Sequence, residues 1–174
     1  MKAVTMTTSQ LINRAAQSIL ALYAITFIHH VYGGIVDGDT KRLYVPIIGA
    51  IPLLITQFSL YQYRRTRGGI ALASFSIVTV LWWVIIHGLL HGGYAHTYKD
   101  ILFLSGVPTD MVQKFYYPLN PTEHYPPDNI LFEVTGVLEM VTAYFVALFT
   151  LRLIRDGQKD NRQRSLQEQA ISSR

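Results

Sequence analysis

The chain has 174 residues and a formal net charge of +4, with half of its residues hydrophobic and only 15% charged. A soluble domain carries about 25% charge, and the apolar residues here come in long blocks, which excludes an ordinary soluble globule. The absence of cysteine excludes disulfides, thiolate metal sites, iron–sulfur clusters and covalent c-type haem. The basic residues flank apolar blocks with no aromatic-basic platform, which excludes nucleic acid as a partner.

Four blocks approach the roughly 20 apolar residues that a bilayer core requires. The first covers about 11–32. It carries Asn13, Arg14 and Gln17 early and lacks a cleavage site of the A-x-A type, so it reads as a retained helix rather than a secretory signal. The second covers about 44–63, where Pro46, Gly49 and Pro52 can bend the first half and open backbone carbonyls toward a cavity. The third and fourth cover about 69–91 and 130–154. The predicted fold is an all-α integral membrane protein, a four-transmembrane-helix bundle forming one domain over 1–155. A polar tail follows over 156–174.

The connections set the expected orientation. The turn after the second block holds Arg64, Arg65 and Arg67 with no acid, and Arg152, Arg155, Lys159, Arg162 and Arg164 follow the fourth. Both belong in the cytoplasm by the positive-inside rule, with both termini, in a plasma or bacterial inner membrane. The connection over 92–129 carries Lys99 and Lys114 against Asp100, Asp110, Glu123 and Asp128 and belongs outside. Its aromatics, Tyr94, Phe103, Phe115, Tyr116, Tyr117 and Tyr125, are too many for a disordered linker. Thr109 and Asp110 before Met111, Val112 and Phe115 predict a capped amphipathic turn. Pro118, Pro121, Pro126 and Pro127 then predict an extended return. Together these describe an ordered external lid, and Gly92-Gly93 reads as the stop of the third helix.

An ionisable side chain in hydrocarbon costs several kcal/mol and calls for a partner, a cavity or an ion. His29, His30, His87, His91, Glu133 and Glu139 all fall inside or at the ends of the four blocks, and the predicted topology puts the histidines at the outer end. His87 and His91 are spaced i, i+4 on one helical face, a spacing suited to joint metal ligation. His30 shares a face with Thr26 and Tyr23, whereas His29, about 100° away, shares one with Ile25, Leu22 and Ser18. The expected ligands are therefore His30, His87 and His91, with Glu133 or Glu139 as ligand or proton relay. His29 is left to the interface or a supporting role, and His96 and His124 fall in the external loop. Glu139, about 9 Å deeper than Glu133 at 1.5 Å per residue, is the acid hardest to solvate.

Imidazole and carboxylate without thiolate suit Fe, Mn, Zn or Cu. Haem b is the other expectation, with one histidine from the first span and one from the third as axial ligands. Gly33, Gly34, Gly49, Gly88, Gly92 and Gly93 would then make room for the porphyrin. The Glu-x-x-His pattern of soluble di-iron bundles is absent after both Glu133 and Glu139. The expected function is a membrane-embedded metal- or haem-binding protein with an outward-facing site, an oxidoreductase acting on a lipid-soluble or small substrate. The alternatives are an accessory subunit of a larger membrane complex, for which the aromatic lid would be the docking face, and a proton-coupled carrier. A carrier of four spans with no inverted repeat would need to form a homo-oligomer.

Overall fold

The computed structural model describes residues 6–116 and 129–172, and every regular element among them is helical. Helix α1, Thr8–Val36, starts in a capping box: Thr7 Oγ1 accepts from the Gln10 amide while Gln10 Oε1 accepts from the Thr7 amide at 2.8 Å. It ends at Asp37 before Gly38, whose φ of 65° only glycine adopts freely. A short turn, Thr40–Leu43, brings Arg42 back to Asp37 at 3.1 Å. Helix α2, Tyr44–Thr66, follows and closes on Arg67 in the left-handed region. Helix α3 runs unbroken over Gly69–Leu104, α4 covers Thr109–Tyr116 and α5 covers Ile130–Ser172.

Helices α1, α3 and α5, and α2 with the turn before it, are long and apolar enough to cross a membrane. Their outward faces carry large apolar side chains such as Ile47, Ile51, Leu54, Leu81, Leu89 and Tyr144, all exposed. In water such a surface would drive association; in hydrocarbon it needs no cover. Helix α5 packs mainly on α3 and α1, and α2 packs on α1 and α3. The apolar core occupies the half of the bundle that holds the start of α1, the end of α2 and the start of α3. Ile12, Ile19, Leu60, Phe75, Trp83 and Val146 are its centre. The buried histidines, Lys99, Glu133 and Glu139 gather in the other half.

Two boundaries differ from the sequence expectation. Helix α3 does not stop at Gly92-Gly93. A Cβ on Gly92 would stand 2.6 Å from the Met140 amide nitrogen and 2.8 Å from the Gly136 carbonyl. The glycine thus lets the α3 and α5 backbones touch, and the helix continues through what was expected to be the first part of the lid. Helix α5 likewise continues as an exposed helix to Ser172, where a frayed tail was expected. An amphipathic helical turn does form from Thr109, with Val112 buried and Asp110 paired to Lys114 at 3.6 Å. The side chains of Phe115 and Tyr116, and residues 117–128 with Tyr117, Pro118, Pro121, His124, Tyr125, Pro126 and Pro127, lie outside the described residues.

Candidate metal centre

Helix α3 changes its winding where the site is built. Over Thr79–Tyr98 it is a π-helix, with i→i+5 bonding. Thr97 follows the same step with its side chain, donating from Oγ1 to the Gly92 carbonyl at 2.8 Å. At about 4.4 residues per turn for this winding, steps of four and five residues alternate to keep one face. His87, His91 and His96 have that spacing. An α-helix would turn His96 well away from His91; the wider helix returns it to the site. π segments are rare and concentrate at functional positions.

Five imidazoles meet at this end of the bundle. His29 lies 5.2 Å from His30, 5.0 Å from His91 and 4.7 Å from His96, centroid to centroid. His30 lies 4.8 Å from His91 and 6.4 Å from His87. The neighbours His29 and His30 leave the helix in different directions, yet the rings of both lie close to His91.

Helix α5 supplies the groups that orient these rings. Thr135 Oγ1 donates to the Leu131 and Phe132 carbonyls at 2.9 Å, so it can only accept from His29 Nδ1, also at 2.9 Å. That fixes the tautomer and turns a bare Nε2 inward; Phe132 stacks on the ring at 4.1 Å. Glu133 Oε2 accepts from His96 Nδ1 at 2.7 Å, while its Oε1 accepts from Lys99 at 2.7 Å. His91 Nδ1 donates to Glu139 Oε2 at 2.7 Å. Such carboxylate–imidazole bonds are how proteins aim metal-ligating histidines. Lys99 and Glu139 are essentially inaccessible, at 1% and 0% exposure.

The ligand atoms fall into two trios, His29, His91 and His96, and His30, His87 and Glu139, with the atoms of each within 4.8 Å of one another. An ion contacted at about 2.1 Å sets three ligands roughly 3.5 Å apart, so small side-chain rotations close either trio. Seven buried atoms here lack any hydrogen-bond partner: His29 Nε2, both nitrogens of His30, both of His87, His96 Nε2 and Glu139 Oε1. Each such atom costs about 1–3 kcal/mol. They lie together on four histidines and Glu139, residue types that ligate metals.

The expected ligands His30, His87, His91 and Glu139 all come together here. The i, i+4 pair of His87 and His91 is divided between the trios, its rings 6.3 Å apart. Glu133 belongs to neither trio; both of its oxygens are engaged by His96 and Lys99. His29, His96, Lys99 and Thr135 are the site residues that sequence reasoning did not assign. Among the described residues the haem expectation gains no support at four of its six glycines. The positions where Gly33, Gly34, Gly88 and Gly92 would open a slot are filled by Phe132, Leu43, Ala143 and the α5 backbone.

Gly136 is tied to the site by the same close packing. A Cβ there would lie 2.5 Å from His96 Cδ2 and 2.7 Å from its Nδ1. Gly136→Ala is expected to push the imidazole off Glu133 and cost about 1–3 kcal/mol of stability from overpacking. Thermal unfolding in detergent, with the His96 imidazole resonance as a local probe, checks both.

The fold and site define an all-helical bundle with a buried His/Glu cluster at one end. A comparison with known protein families, with curated proteins and with solved structures found no match. The functional reading therefore rests on the side chains.

Proposed function

We propose that the chain is an integral membrane metalloprotein whose His/Glu centre carries out redox chemistry on a small or lipid-soluble substrate. The observation that carries this reading is the set of unpartnered buried atoms on His29, His30, His87, His96 and Glu139, each able to supply one ligand atom. Neutral imidazoles with one carboxylate suit Fe, Mn, Cu or Zn, and the first three supply one-electron chemistry. The ion is resident rather than a transported cargo. A carrier's site must open to both sides, whereas His29, His91 and His96 are held by Thr135, Glu139 and Glu133 between helices packed glycine to backbone.

Access is supported at two points. His91 keeps 22% of its side chain exposed, unlike the other ligands. Beside the centre, an apolar cavity of about 340 Å³ is lined by Phe103, Leu104, Ile130 and Leu138, with Asp100 and Glu133 as its polar wall. That combination suits an apolar molecule with a hydrogen-bonding head. The arginine distribution supports reading this end as the outer side of a plasma or bacterial inner membrane, with both termini inside.

Protein extracted in mild detergent without chelators is expected to carry stoichiometric transition metal and no Soret band. Metal retention should fall on acidification, because protons compete with the ion for the ligand nitrogens. Elemental analysis with a visible spectrum checks both. Protein that arrives metal-free and takes up none of Fe, Mn, Cu or Zn overturns the reading.

A further inference from the structure

We infer that the centre holds two ions, with Glu139 set between them. The inference rests on the metalloprotein reading and goes beyond it in number and in the role of each residue. The donors divide into two disjoint trios, one of three imidazoles and one of two imidazoles and a carboxylate. A single ion in either trio leaves buried donor atoms of the other with no partner, at about 1–3 kcal/mol each.

Glu139 is the seam. Its Oε2 accepts from His91 Nδ1 at 2.7 Å and so steadies a ligand of the first ion. Its Oε1 is buried and unpartnered, and it completes the second trio with His30 and His87. One carboxylate thereby orients the first site and ligates the second, so that filling one site shapes the other.

Stoichiometry tests this directly. The wild-type protein, loaded with Cu²⁺ and desalted, is expected to hold two ions per chain. His87→Ala and His96→Ala should each hold one, and the double variant none. Electron paramagnetic resonance of the doubly loaded protein should show dipolar broadening that disappears in either single variant. One ion in the wild type, lost completely in both single variants, overturns the two-ion arrangement while leaving the metalloprotein standing. No ion at all overturns both. Two ions with unbroadened, independent spectra also overturn it, and that measurement needs no variant to fold.

Discussion

Glu139→Gln is expected to lower affinity for the ion at His30 and His87 by about 100-fold or more, the upper end of what even a supporting residue loses. It should also leave the metal-free protein as stable as wild type or more so. The two effects have opposite origins. Glu139 is fully buried with one oxygen bonded to His91 and the other without a partner. Without an ion, that carboxylate is a buried charge in poor company, and an isosteric amide relieves it. The amide oxygen still accepts from His91 Nδ1, and the amide nitrogen donates to a bare imidazole nitrogen of His30 or His87. With an ion, the amide has lost the charge that the cation needs. The stability order therefore inverts with metal: wild type above Gln when loaded, Gln level with or above wild type when stripped. Thermal unfolding in detergent, with and without chelator, reads both halves. Glu139→Ala, which removes the His91 bond as well, should be the less stable variant in either state. A Gln variant that loses stability equally with and without metal would show that Glu139 serves packing alone.

The architecture was legible because hydrocarbon allows few solutions. Long apolar blocks punctuated by Arg64, Arg65 and Arg67, or by Asp37 and Gly38, admit little besides spanning helices. The same rule marked the polar residues, since nothing else in those blocks requires a partner. What stayed hidden depends on winding and packing rather than composition. A period of 3.6 puts His96 beyond the helix end and away from His91; only the π register brings it back, and the spacing of His87, His91 and His96 is its one trace in the sequence. His29 was set aside because its helical face is apolar, but the face proved to be covered by Phe132 and Thr135 of α5, which hold the ring in place. Gly92 read as a stop because a glycine pair commonly ends a helix. Here it is a point of backbone contact, a choice that only the neighbouring helix decides. Lys99 looked like a loop charge for the same reason, since the helix was expected to end before it.

Lys99→Met is expected to be the most destabilising single change in the site, by about 3–5 kcal/mol, the usual effect of breaking one side of a buried ion pair. Methionine keeps the length and apolar stem of the side chain, so packing is conserved and the loss is electrostatic. Lys99 is 1% exposed, and its ammonium meets Glu133 Oε1 at 2.7 Å. Removing it leaves the Glu133 carboxylate, beside Asp100 and His96, without its cation in a bundle interior. The double variant Lys99→Met/Glu133→Gln should recover most of the stability, because the neutral amide oxygen still accepts from His96 and no charge remains uncompensated. The coupling between the two positions is then large and favourable by double-mutant cycle. Metal binding separates this role from that of Glu133 itself. In Lys99→Met the carboxylate still holds His96, and with its cation gone it pulls harder on the Nδ1 proton and makes Nε2 a better donor. The ion at His29, His91 and His96 is therefore retained even as the protein's melting temperature falls. Glu133→Ala, by contrast, frees the ring and is expected to weaken that ion about 10–100-fold. If both variants lost the ion equally, Lys99 would be acting on the ligand directly rather than as the counter-charge that lets a buried carboxylate aim a histidine.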